Sequence, residues 1–312
     1  MGVGRGYGKL LLFGEHAAVY GYPAVGMPID RSIVVEATPA DRWRFPPEIG
    51  CECGEALLKA IGELPGEIPP PASVRFSGDL PLGVGFGSSA AFCVGLLRAI
   101  GPAEPDSTGT ADLWDRAHRL EHVFHGRPSG IDTGLSLSPE ASALVPSPPE
   151  LPRINRIALP TGWLVVCAIE RSSSTAELVR SVGERRETDR QSTDETLSQL
   201  GRIAQEVTEG CADGGSMSID QLGRLASEAQ HSLVSLDVST DRLDSAIAEL
   251  TAAGALGAKL SGAGGGGAFF GVFADQTSAL SAETRMKAWL IANDLRVDGE
   301  SCCWVMPIGP SR

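Results

Sequence analysis

The stretch Pro81-Leu-Gly-Val-Gly-Phe-Gly-Ser-Ser-Ala-Ala91 alternates three glycines with apolar residues, then enters an apolar run, Ala90 to Ile100, whose pattern predicts a buried helix. A glycine-rich turn that feeds a helix N-terminus leaves several backbone N–H groups unpaired at the positive end of the helix dipole, an arrangement suited to phosphate. The glycines allow positive φ and close approach of backbone to a ligand. Ser88 and Ser89 either cap the helix or offer hydroxyls to a phosphate or a metal ion. The stretch is not a P-loop, because no Gly-Lys-Ser/Thr follows, and not a Rossmann fingerprint, because Ser88 stands where the third glycine belongs. A turn that only packs a helix tightly on a sheet fits these eleven residues equally well, so the rest of the chain decides.

At 312 residues the chain exceeds the size at which single cores stop growing, and it has room for two. Its 42% hydrophobic and 21% charged residues are those of an ordinary globular protein. With 26 basic and 39 acidic residues the net charge is −13, which argues against non-specific nucleic-acid binding. Seven cysteines, an odd number, imply reduced thiols and a cytoplasmic setting. The longest apolar runs, near Gly162 to Ile169 and Ala268 to Ala274, are far below membrane-spanning length.

Strands are predicted at Lys9–Phe13, Ala24–Ile29, Ser32–Ala37, Ser73–Phe76, Trp163–Ile169 and Cys302–Ile308, with a glycine-interrupted strand pair within Ala258–Phe273. Helical spacing is read at Ala56–Ile61, Ala111–His125, Leu197–Val207, Ile219–Leu236, Leu243–Ala253 and Ser281–Asp294, and a helix starts at Thr175. Gly126–Gly134 reads as a loop, and Glu184–Thr196 as a solvated, charged helix face or loop. The proline-rich, aperiodic Leu144–Pro152 places a domain boundary between there and Pro160. Strands and helices without a regular βαβ alternation give an α+β chain of two lobes.

Two further stretches carry chemistry. Lys259-Leu-Ser-Gly-Ala-Gly-Gly-Gly-Gly267 is wedged between apolar segments, so it reads better as a loop approaching a ligand or the first glycine turn than as a linker. His118-Arg-Leu-Glu121-His122 matches the inverted zincin pattern: His118 and His122 share a helix face and Glu121 would be the general base. That zinc-peptidase reading leaves both glycine clusters unexplained, and polar positions on a helix flank explain the two histidines as well.

Gly8-Lys-Leu-Leu-Leu-Phe-Gly-Glu-His-Ala-Ala-Val-Tyr-Gly21, the Pro81–Ala91 turn, His125-Gly-Arg-Pro-Ser-Gly-Ile-Asp132 and the Lys259–Gly267 cluster occur in that order. Together they resemble the GHMP small-molecule kinases along nearly the whole chain. The resemblance implies a ribosomal-protein-S5-domain-2-like N-terminal lobe (1–155) and a ferredoxin-like C-terminal lobe (156–312), with the site between them. It implies that Gly83, Val84, Gly85, Phe86, Gly87, Ser88 and Ser89 wrap the triphosphate of ATP, with Gly264 and Gly265 closing from the second lobe. Ser89 and Glu121 would hold Mg²⁺, and Asp132 would be the catalytic base, with Lys9 bridging it to the transferring phosphoryl group. Glu15 and His16 would line the substrate pocket, and Ser129 and Thr175 would lie near the reacting centre.

Within the family, Gly14-Glu15-His16 followed by Ala18-Val19-Tyr20-Gly21, and a glutamate eleven residues before Asp132, point to members that phosphorylate the 5-hydroxyl of mevalonate. Phosphomevalonate, the mevalonate 3-hydroxyl, homoserine and sugars are the alternatives. The implied partners are ATP and a small alcohol, without nucleic acid or membrane; a homodimer stays open. Tyr7 stands where the family usually has proline. Ala176 stands where a basic residue is common, with Arg171 nearby to compensate.

Overall fold

The computed structural model describes residues 2–66, 68–101, 109–126, 128–148 and 150–309 of the 312. The first sheet is organised around one long strand. β1 (Val3–Phe13) and β2 (Ala24–Pro39) are antiparallel along most of their length. On its other edge β2 carries β3 (Ala72–Gly78) at one end and β4 (Ser142–Ser147) at the other, with β5 (Glu150–Arg156) beyond β4. The two strands predicted at Ala24–Ile29 and Ser32–Ala37 are thus a single strand. The described residues of Leu144–Pro152 are not an aperiodic connection: most of them pair in the β4–β5 hairpin.

β1 also begins six residues earlier than its apolar run. Gly4 and Gly6 carry no side chain because α2 (Ser88–Ile100) lies directly on them. A Cβ on Gly6 would sit 1.9 Å from the Ala91 carbonyl oxygen, and one on Gly4 2.1 Å from that of Gly95. α2 is buried nearly all round, as its continuous apolar run requires. α1 (Cys51–Gly62) and α3 (Gly109–Glu121) belong to the same lobe, and α3 packs on α2. The expected loop Gly126–Gly134 is helical from Ile131 on. Gly130, at φ +78°, turns the chain into α4 (Ile131–Leu137), which places Asp132 in a first helical turn.

The second sheet has the order β7 (Gly257–Leu260), β8 (Gly267–Phe273), β6 (Gly162–Ile169), β9 (Cys303–Ile308), antiparallel throughout. Around it lie α5 (Thr175–Thr188), α6 (Arg190–Gly210), α7 (Ile219–Ser235), α8 (Asp241–Ala252) and α9 (Gln276–Ala292). The charged run Glu184–Thr196 spans the end of α5 and the start of α6, with Asp189 between them capping α6 through the Ser192 N–H. Ser174 and Ser218 start α5 and α7 with capping boxes.

One apolar core runs from Leu10 to Ile308 and joins the two sheets. Phe86 of the glycine turn meets Trp304 of β9 edge-on, with ring centroids 5.1 Å apart. Tyr22 lies where a side chain on Gly201 of α6 would be, 2.1 Å from its ideal Cβ. Among the described residues no helix is long and apolar enough to cross a membrane.

Candidate active site

The glycine turn uses its glycines for conformation. Gly83, Gly85 and Gly87 have φ of +72°, +98° and +71°. Gly87 is the N-cap of α2 and makes no side-chain cap, so the capping role open to Ser88 and Ser89 is not taken up. Ser88 Oγ accepts the Gly83 N–H at 3.4 Å across its own loop, while Ser89 Oγ lies 3.1 Å from His125 Nε2. The side chains of Val84 and Phe86 are buried in the core, so only their backbones can face a ligand.

Lys9 enters from β1 beneath this turn. Its backbone N–H donates to the Phe86 carbonyl at 2.9 Å, and a Cβ on Gly87 would meet its Cγ at 2.9 Å. Glycine at 87 therefore lets a buried lysine stem pass. Its Nζ reaches Asp132 Oδ1 at 3.1 Å, with the lysine 4% and the aspartate 35% exposed. A cation held in the protein thus meets a carboxylate that still touches solvent. Ser129 Oγ accepts the Ile131 N–H at 3.3 Å and shapes the entry to α4.

Glu121, the last residue of α3, is buried, and its Oε2 has no hydrogen-bond partner. Burial, reinforced by the charge of Asp132 and opposed by Lys9, pushes its carboxyl up to about 8. A buried, orphaned carboxylate oxygen is what a hard cation would satisfy. One carboxylate and one serine hydroxyl, with the remaining positions left to phosphate and water, suit Mg²⁺. The donor set fits that ion.

It does not fit zinc. Glu121 faces Lys9 and Asp132, whereas the rings of His118 and His122 stack edge-on against each other with centroids 5.0 Å apart. His122 Nδ1 lies 3.3 Å from the Gly126 carbonyl oxygen, and no cluster of three or more His, Cys, Asp or Glu able to hold a metal occurs among the described residues. The zincin reading of His118, Glu121 and His122 is overturned.

The second lobe closes on this group through its own glycine loop. Gly264, Gly265, Gly266 and Gly267 all have positive φ, and three of them are close against neighbouring backbone. A Cβ on Gly264 would lie 2.0 Å from the Val238 oxygen, on Gly266 2.3 Å from that of Glu170, and on Gly267 2.9 Å from that of Val84. The last of these brings the two glycine clusters together, as their composition suggested. Arg171 comes with the loop. Its guanidinium donates to Thr175 Oγ1 at 3.2 Å and to the Gly264 carbonyl at 3.4 Å, and it lies within the field of Asp132. Thr175 is thereby tied to the same cluster.

The two residues expected at the substrate pocket are both buried. His16 has φ +58° and ψ −43°, outside the left-handed well, a conformation costing about 1–3 kcal/mol for a non-glycine residue. It is buried, and its Nε2 donates to the Ala263 carbonyl at 2.9 Å; burial lowers its pKa against that bond. Glu15 does not line an open pocket. Its side chain is fully buried and ion-paired with Lys259, which is equally buried on β7. Lys259 and His125 are the residues that sequence reasoning left without a role. Lys259 between Ala258 and Leu260 was a sign of a buried lysine, but nothing local pointed to Glu15 as its partner.

This geometry can be set beside known proteins. The chain matches the GHMP kinases N terminal domain over residues 52–138 and the GHMP kinases C terminal domain over 215–292. It is 32% identical to the mevalonate kinase of Archaeoglobus fulgidus over 275 residues, 85% of this chain and 90% of that one. Identity to the mevalonate kinase of Methanothermobacter thermautotrophicus is also 32%, over 83% of this chain and 86% of that protein. In three dimensions it resembles the mevalonate kinase of L. major solved with R-mevalonate, with a TM-score of 0.80, 24% identity and coverage of 100% and 97%. A galactokinase from Lactococcus lactis shares the fold at a TM-score of 0.70 and 15% identity, covering 98% and 93%. With both family domains matched and 32% identity over most of each chain, the chain belongs to the GHMP kinase family.

Proposed function

We propose that the chain transfers the γ-phosphoryl group of ATP to the 5-hydroxyl of mevalonate, giving 5-phosphomevalonate and ADP. The observation that carries this reading is the Lys9–Asp132 pair, set under the glycine turn and open to solvent on the aspartate side. The relatives named above, with 32% identity across most of their length, supply the choice of alcohol.

Phosphoryl transfer asks little covalent chemistry of a protein; positioning and charge neutralisation dominate. The backbone of Gly83 to Ser89 cradles the triphosphate at the N-terminus of α2, with Gly264 and Gly265 closing over it. Asp132 takes the hydroxyl proton as that oxygen attacks the γ-phosphorus and the bond to the β-phosphate oxygen breaks, a general-base contribution of roughly 10²–10⁴ in rate. Lys9 orients Asp132 and places positive charge beside the transferring group. Ser89 and Glu121 would hold Mg²⁺, which when bound neutralises charge on the phosphate oxygens. His16, Ser129 and Thr175 surround the alcohol, with Glu15 behind His16. The lobes divide at 155/156, at the end of β5, in a reduced, cytoplasmic protein whose seven cysteines are all free.

A coupled ADP-release assay against mevalonate, phosphomevalonate, homoserine and galactose tests the reading. Turnover with mevalonate is expected; activity confined to another alcohol would overturn the substrate assignment.

A further inference from the structure

The lobes meet at a buried ion pair that the proposed chemistry leaves unused. Lys259 of β7 reaches across to Glu15 with both side chains at 0% exposure. The ammonium also donates to the Leu260 carbonyl at 2.6 Å and lies over the rings of Phe13 and Phe270, 5.7 and 5.4 Å from their centroids. Glu15 Oε2 accepts nothing, so Lys259 is the one cation holding the carboxylate among the described residues. The next residue is His16, strained at φ +58° and donating to Ala263, four residues after Lys259. Ser261 lies between these contacts and is bonded to Leu11 through its hydroxyl. One short segment of the second lobe therefore holds the turn 14–17 at Glu15 and His16 and the end of β1 at Leu11, and both side chains of the charge pair are fully buried.

We propose that Lys259 is a positioning residue for the substrate pocket: by holding Glu15 from the opposite lobe it fixes the strained turn that aims His16. The inference rests on the proposed function only in naming the alcohol that His16 meets. A charge pair that merely stabilised the fold could be replaced by apolar or neutral groups of similar volume without changing ligand affinity. A positioning pair could not, because small displacements of a binding group cost up to roughly a hundredfold.

The test compares Lys259→Met, the charge-free double variant Glu15→Gln/Lys259→Met, and Glu15→Asp, which keeps the charge and retracts it by one methylene. Expected are a KM for mevalonate raised roughly tenfold or more with the KM for ATP unchanged, and faster hydrogen exchange at the Ala17 and Ala18 amides in the ligand-free protein. If the folded variants keep both KM values and wild-type exchange, and lose only melting temperature, the proposal fails. Should Lys259→Met not fold, the charge-free double variant and Glu15→Asp decide by the same readouts. Should the wild-type protein not turn over mevalonate, the function assignment fails separately, and exchange at Ala17 and Ala18 still decides this one.

Discussion

At the scale of single residues, the site separates two carboxylates by environment. Asp132 keeps contact with solvent and with Lys9 Nζ, a placement that suits the base role proposed for it. Asp132→Asn should therefore lower kcat by roughly 10²–10⁴ while ATP affinity, measured by titration calorimetry, stays near wild type; near-full turnover would remove it from the base role. Glu121 is the opposite case, a buried acid whose pKa rises to about 8. Its folded-state value lies above its ordinary one of 4.5, so between those limits the folded protein holds a proton that the unfolded chain releases. Its contribution to stability is thus full below pH 4.5 and is lost as pH rises toward 8. In buffer free of divalent cations, Glu121→Gln should flatten the decline in melting temperature between pH 5 and 8. Because a ligating carboxylate must be ionised, Mg²⁺ should raise the wild-type melting temperature more at pH 8 than at pH 6. A pH-independent increment would argue against Glu121 as its ligand.

At the scale of elements, glycine is used in two ways, and the difference is measurable. Gly87 combines φ +71° with a lysine stem 2.9 Å from its ideal Cβ. Gly87→Ala should destabilise the protein by more than about 1 kcal/mol, displace Lys9 from Asp132, and lower kcat along with ATP affinity. Gly183, in the middle of α5, has nothing within 4 Å of its ideal Cβ and an ordinary helical φ. Gly183→Ala should instead stabilise by about 0.5–1 kcal/mol, read as a higher urea midpoint at unchanged slope. The sequence showed both glycine clusters and their kinship, because five glycines in six positions between apolar strands demand a backbone reason. It did not show that Gly4 and Gly6 extend β1, since a strand whose side chains are deleted to admit α2 has no apolar alternation left to read. Nor did it show Asp132 in a helix: Pro128, Ser129 and Gly130 signal a turn, and the helix they start is only seven residues long. Glu15 was placed in the pocket by its motif, whereas its actual partner lies 244 positions away, beyond the reach of any local pattern.

For the whole molecule, the proposed division into two lobes at 155/156 is a matter of sheets and not of independent cores. The apolar cluster crosses the division, with Phe86 packed on Trp304 and Tyr22 on α6. Polar bridges cross it as well. Ser261 Oγ donates to the Leu11 carbonyl at 2.8 Å and accepts the Leu11 N–H at 3.1 Å, completing the free edge of β1 with a side chain of the other lobe. The candidate site, assembled from both lobes, needs this coupling, because Lys9 and Asp132 come from one side while Gly264 and Arg171 come from the other. Shared burial of this kind makes one lobe's folding the condition for the other's. Calorimetric unfolding should therefore give a single transition whose van't Hoff and calorimetric enthalpies agree, and residues 1–155 and 156–312 expressed apart should each fail to show one. Ser261→Ala leaves two buried backbone groups of Leu11 unpaired, at about 1–3 kcal/mol each. It should lower the midpoint substantially without splitting the transition, since the apolar contacts between lobes remain. Two resolved transitions in the wild-type protein, or a cooperative melt from either half alone, would show that the lobes fold independently and that the site is assembled only afterwards.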